Sequence, residues 1–198
     1  VKSIENYKAN QARYKIALID FGVKRNIIRI LNSRGCDVEV YPWNYDFNNL
    51  DLNKYDGIVM SPGPGDPKTL LNDIKGIKKS IENIPTLGIC LGHQIIALAN
   101  DIKTYKMFNG HRGINHPVLN INTGKGEITS QNHGFAVDYD TAVANKSVKI
   151  SHKHLNDQTV AGLEIKSKNC FSVQYHPEAG PGPNDGNYLF DQFLSKLN

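Results

Sequence analysis

Cysteine is scarce and scattered in this 198-residue chain: Cys36, Cys90 and Cys170 make an odd count at wide spacing. That excludes a disulfide framework and a paired-cysteine zinc motif, and points to reduced thiols. Long hydrophobic runs are missing as well. The longest, such as 95–99, fall far short of a bilayer's thickness, and the first residues, 1–6, carry no apolar signal core. A soluble cytoplasmic protein without membrane contact is the expectation. Charge of one sign is not concentrated either. The formal net charge is +4, but the lysines are spread along the chain and alternate with acids, as over 75–82, which predicts solvated helix faces and no nucleic-acid surface. There is no internal repeat and no low-complexity segment. A phosphate-binding loop is also absent, since 63–67 lacks the Lys-Ser/Thr ending that such a loop requires.

What is present is ordinary globular material with clear punctuation. Hydrophobic residues make up 39% of the chain, enough to bury one substantial core. Residues 1–14 are polar and without period, which reads as a linker from a longer chain and leaves 15–198 as one domain. A central strand is expected at 15–21. A helix follows over 24–34, with Ile27, Ile28, Ile30 and Leu31 on one face and Gly35 as its stop. Further strands fall at 37–41 and 57–60, the second closed by the breaker cluster 61–67. A helix over 70–81 leads to a short buried strand at 84–89. This alternation specifies an α/β fold: a mostly parallel central sheet with helices on both faces and reactive loops at the carboxyl ends of its strands. Beyond residue 102 the pattern changes to short strands at 117–122, 127–132, 147–152, 159–165 and 170–175. Tight polar turns at 123–126 and 156–158 make these antiparallel hairpins in the C-terminal half. A last helix is expected over 187–197.

Cys90 stands where the strand at 84–89 gives way to a helical pattern at 94–99, with Gly88 and Gly92 two residues to either side. A nucleophile on a sharp strand-to-helix turn needs such bare neighbours, because its backbone is cramped. The helix start also places the positive end of aligned peptide dipoles beside the sulfur. A thiol nucleophile needs a base, and the base needs an orienting group. His176-Pro177-Glu178 supplies both at the end of the last strand, with a proline stiffening the link. Attack on an amide carbonyl builds charge on oxygen, which calls for backbone donors. The amide of Leu91 is one candidate, and the Gly63-Pro64-Gly65 loop offers the second. His93 has no third ligand at metal spacing, so no metal is expected. His152 and His154 read as exposed strand residues, and His111 and His116 as members of a Gly- and Asn-rich loop.

With these residues in hand the chain resembles the class I, triad-type glutamine amidotransferases, and within them the glutaminase domain of the carbamoyl phosphate synthetase small subunit. The likeness runs from about residue 15 to the C-terminus. It is carried, in order, by Asp20-Phe21-Gly22-Val23-Lys24-Arg25-Asn26, by 61–67, by 88–94, by Asn132-His133-Gly134-Phe135-Ala136-Val137, and by Gln174-Tyr175-His176-Pro177-Glu178-Ala179. The segment 181–185, Asp66-Pro67 and the 132–137 block favour the carbamoyl phosphate branch over other class I glutaminases.

The resemblance implies that Cys90 attacks the side-chain amide of glutamine, His176 protonates the departing ammonia and Glu178 orients His176. It further implies that Gly63, Gly65 and Leu91 surround the carbonyl, that Gln94 meets the amino-acid end of the substrate, and that Asn132, Gly134 and Phe135 bind it. No cofactor is implied for this domain. ATP, magnesium and bicarbonate would belong to a synthetase partner, either a large subunit or a fused domain, that takes up the ammonia upstream of pyrimidines and arginine. Two departures stand out: the separate N-terminal domain of the small subunit is absent, and Arg112 and Ile114 occupy positions where smaller or different residues are expected. Two other readings of the same residues are a silent regulatory domain that binds glutamine and a cysteine peptidase. The intact Cys90, His176 and Glu178 weigh against the first, and a pocket closed by the Gly63 loop against the second.

Overall fold

The computed structural model describes residues 1–180 and 182–197, and the side chains of 71–75 are also outside the description. Pro181, part of the 181–185 segment, therefore lies outside the described residues. β2 (Tyr14–Asp20) is the apolar run expected of a strand covered on both sides. Its Ile16 and Leu18 enter one core, and Ala17 and Ile19 enter the other. β3 (Cys36–Pro42), β4 (Gly57–Met60), β5 (Thr86–Ile89) and β10 (Cys170–Val173) join it in a continuous parallel block, in the order β3-β2-β4-β5-β10.

Helices cover both faces of this block. On one side α1 (Arg25–Ser33) and α5 (Tyr188–Leu194) bury Ile27, Leu31, Phe190 and Phe193 against Leu18 and Val59. On the other, α2 (Ile74–Asn83), entered through a 3-10 turn at Pro67–Asp73, and α3 (Leu91–Ala99) bury Ile77, Ile95 and Ile96 against Ile19 and Met60. Each such side chain contributes about 1.5–3 kcal/mol on burial, so the sandwich of layers is the main source of stability. The expected α/β architecture is the one observed.

The C-terminal half is antiparallel, as expected, but its first two strands are much longer than their composition indicates. β6 (Thr104–Asn120) and β7 (Lys125–Val137) form one long hairpin. The segment containing His111 and His116, read as a loop, lies within β6. Its Gly and Asn residues are accommodated at register shifts between Lys106 and His111 and between Gly113 and His116. β8 (Val148–His154) and β9 (Val160–Ile165) complete the sheet, β9 pairing with both β10 and β8. His152 and His154 are corrected from exposed to buried, because β8 lies against β6 and β9 instead of at a bare surface. Burial pushes the pKa of both rings down to about 4.

Two short elements were not foreseen. β1 (Glu5–Tyr7) pairs antiparallel with β3, within the segment read as a linker. α4 (Tyr139–Ala144) starts at Asp138, whose Oδ1 accepts the Thr141 amide at 2.9 Å.

Candidate active site

β5 and β10 are adjacent and parallel, with Ile89 opposite Val173. Cys90 leaves the end of β5, and His176 and Glu178 follow the end of β10, so the pairing alone carries the thiol and the imidazole–carboxylate pair to the same rim of the sheet. Cys90 adopts φ +52° and ψ −101° as it caps α3. Positive φ costs a residue with a side chain on the order of 1–3 kcal/mol, and such strain persists only where its surroundings enforce it. Here they do. A Cβ on Gly88 would meet Ile96 Cδ1 at 2.5 Å, and one on Gly92 would meet the Met60 carbonyl oxygen at 2.3 Å. Both flanking glycines are therefore required by close packing, as their placement in the sequence suggests.

The sulfur is buried, with Gln174 Nε2 at 3.7 Å and the Asn132 carbonyl oxygen at 3.9 Å. His176 Nδ1 lies 2.8 Å from Glu178 Oε1, and both side chains are buried. His176 Nε2 has no hydrogen-bond partner among the described residues. Burial alone would lower the pKa of this ring, but contributions from Cys90 and then Glu178 outweigh it and raise the value to about 9. Burial pushes the Glu178 carboxyl the other way, upward, yet the hydrogen bond from His176 prevails and leaves it below the usual range. Glu178 thus remains an anion that accepts from the imidazole.

Cys90 and His176 open on a cavity of about 580 Å³, within the about 300–1,000 Å³ typical of small-molecule sites. Of the residues singled out from sequence, Gly63, Gly65, Gln94, Asn132, Gly134 and Phe135 line it too. Leu91 and Glu178 stand behind this lining. Leu91 packs against the glycine loop, where a Cβ on Gly63 would fall 2.8 Å from Leu91 Cδ2 and 2.4 Å from the Phe21 carbonyl oxygen. Gln94 Nε2 donates to the Phe135 carbonyl at 2.8 Å and to Gln174 Oε1 at 3.0 Å, so α3, β7 and the segment that follows β10 are tied together at the cavity wall.

Several contributors carried no role in the sequence reading. Lys24 Nζ lies 3.4 Å from Glu178 Oε1 and from His176 Nδ1, and Asn26 Nδ2 donates to the Glu178 carbonyl at 2.6 Å. Both belong to the 20–26 block, a motif to which the sequence attached no function. Arg112 lines the cavity, with Nη1 donating to the Asn109 carbonyl at 2.9 Å. His93 is a core residue, its Nδ1 2.9 Å from Ser172 Oγ. Burial holds its pKa down to about 3.

Residues 17–196 match the family model described as glutamine amidotransferase class-I. The chain is 49% identical over 181 residues to the carbamoyl phosphate synthase small chain of Clostridium acetobutylicum, covering 91% of this chain and 51% of that protein. It is 48% identical over 197 residues to the same-named protein of Bacillus cereus, covering 100% of this chain and 54% of the relative. The chain therefore spans about half the length of the curated relatives it matches. Among solved structures, a Thermoplasma acidophilum protein provisionally described as a GMP synthase component superposes with a TM-score of 0.78 at 26% identity, covering 92% of both chains. A glutamine amidotransferase of Thermotoga maritima shares the fold at a TM-score of 0.65 and 18% identity, over 84% of this chain and 76% of that one. With Cys90 and His176 meeting at one cavity, Glu178 bonded to His176 behind it, and the family model covering nearly the whole chain, this chain belongs to the class I glutamine amidotransferases.

Proposed function

We propose that this chain hydrolyses glutamine to glutamate and ammonia, and that the ammonia serves a carbamoyl phosphate synthetase. The observation that carries this reading is the convergence of Cys90 and the His176–Glu178 pair at the carboxyl ends of neighbouring strands, above a cavity of small-molecule size. The thiolate of Cys90 attacks the side-chain carbonyl carbon of glutamine, forming a C–S bond. The developing oxyanion is met by the Leu91 amide and the backbone of the 63–65 loop, a donor of this kind being worth about 3–4 kcal/mol. The C–N bond then breaks, and ammonia leaves with a proton from His176 Nε2. Water attacks the resulting thioester as His176 takes its proton, which releases glutamate and restores the thiolate. Glu178 remains anionic throughout and steadies the imidazolium. Arg112 and Lys106, both on the cavity wall, are suited to the substrate's carboxylate end.

The carbamoyl phosphate branch is supported by the names of the 48–49% identical relatives. In this reading the partner is a synthetase large subunit or fused synthetase domain in the cytoplasm that itself holds ATP, magnesium and bicarbonate. An N-terminal small-subunit domain completes the assembly. Brief incubation with glutamine, acid quench and mass analysis tests the chemistry: a mass increase on the Cys90 peptide is expected, and none in Cys90→Ala. In the assembled complex, Cys90→Ala should abolish glutamine-dependent synthesis while ammonia-dependent synthesis continues. Loss of both together would refute the proposed division of labour.

A further inference from the structure

The long hairpin gathers imidazoles that glutamine hydrolysis does not use. His111 and His116 are five positions apart on β6, which in a regular strand would point them to opposite faces. The extra residue between Gly113 and His116 reverses that. His111 pairs with His133, Gly113 with Gln131 and His116 with Thr129, so the two histidines share the face on which Thr129, Gln131 and His133 are buried. His154, at the end of β8 opposite Val118, reaches the same place from the neighbouring strand. Asp157 comes to it from the turn that follows.

One nitrogen from each of His111, His116 and His154 lies within 4.8 Å of the other two, and His116 Nδ1 is 3.0 Å from His154 Nε2. Imidazole nitrogens at about 2.0–2.1 Å from a tetrahedral ion stand about 3.3 Å from one another. The His111 and His154 rings are stacked at 4.1 Å and 19°, so closing on one ion requires one of the two rings to turn about its side-chain torsions. Asp157 Oδ2 is 2.8 Å from His111 Nε2, and Oδ1 is 3.4 Å from His154 Nδ1. A carboxylate against the far nitrogen of an imidazole is the contact that fixes the ring of a metal-bound histidine. For His154 it leaves Nε2, the atom facing His116, as the ligand. We propose that His111, His116 and His154, supported by Asp157, bind one divalent transition-metal ion of the zinc class. Three imidazoles with a carboxylate suit zinc, cobalt or nickel and not magnesium or calcium. Half-buried His116 and exposed Asp157 leave the cluster open to an entering ion. With Asp157 on its Nε2, His111 offers Nδ1 to the ion in exchange for contacts of 3.2 Å with Gln131 Oε1 and His133 Nε2, and His133 sits between Asn132 and Gly134 on the cavity wall, so the ion would stand next to the lining of the glutamine site.

The competing account has the rings only hydrogen-bonding one another, with His154 Nδ1 accepting the Asn156 amide at 3.2 Å and Nε2–H donating to His116. The chain, stripped with chelator, is titrated with Zn²⁺ by calorimetry and with Co²⁺ by visible absorption. Uptake of one equivalent is expected, with a tetrahedral cobalt spectrum. His154→Gln and Asp157→Asn should each weaken binding at least about tenfold, and Cys90→Ser should leave it unchanged. Asp157 is on an exposed turn, so its variant keeps the test decisive should His154→Gln fail to fold. No stoichiometric uptake by the parent chain, unchanged affinity in either folded variant, or loss of binding in Cys90→Ser would each overturn the assignment.

Discussion

A buried imidazole that keeps its proton to about pH 9 owes this to two neighbours, the Cys90 sulfur and the Glu178 carboxylate, acting against its burial. Cys90→Ala removes the larger of these two contributions, so the His176 pKa should fall from about 9 in a proton NMR titration of the ring. A value that stays put would mean the sulfur and ring do not communicate. The same group sets a pH signature on stability. Its folded pKa lies above the unfolded value of about 6.5, so its contribution is complete below pH ~6.5 and is lost as pH rises through about 9. Denaturant midpoints measured across that window should decline in the parent chain and decline less in Cys90→Ala. At this scale the meeting of Cys90 with the His176–Glu178 pair was readable in the sequence because Gly88, Gly92 and Pro177 mark the backbone around them. Lys24 and Asn26 were not, because a lysine and an asparagine at a helix start carry no local sign of a partner about 150 positions away.

The elbow formed by β5 and α3 sets two opposed effects against each other at Gly92. Alanine would gain about 1 kcal/mol of helix propensity there. It would also drive a Cβ to 2.3 Å from the backbone carbonyl of Met60, which cannot swing aside as a side chain would. Overpacking costs about 1–3 kcal/mol and more against a fixed backbone, so Gly92→Ala should be net destabilising in urea unfolding. A neutral or stabilised variant would show that β4 and α3 are less closely seated than described. The parallel strands were legible because burial on both faces forces continuous apolar runs such as 16–19 and 57–60. β6 and β7 were legible only in part. Two register shifts break the two-residue alternation, and Asn109, Gly110, Gly113 and Asn115 imitate loop composition while the hydrogen bonds of the ladder continue around them. β1 and α4, at three and six residues, are too short for any period to show.

Across the whole molecule stability is unevenly distributed. β2 and β4 are buried on both faces, whereas much of β6 between Tyr105 and Asn115 is solvent-exposed, with Phe108 projecting fully into solvent beside the cavity. Amide hydrogen exchange should therefore be slow in 16–19 and 57–60 and much faster in 105–110. It should slow in 105–110 when a glutamine analogue occupies the site. Equal protection of both regions would show that the hairpin is held as firmly as the parallel block. Part of this gradient is visible in composition, since 16–19 and 57–60 are apolar runs whereas 105–115 mixes Lys106, Asn109, Arg112 and Asn115 among its apolar residues.

β10 enters the sheet between β5 and β9, both of which precede it in the chain and are synthesised before it. A nascent polypeptide thus has no imidazole to serve Cys90 until translation has passed residue 176, and a product interrupted earlier presents two unzipped strands where the missing one belongs. Products truncated before β10 should consequently lack the imidazole beside Cys90 and be prone to stick to one another.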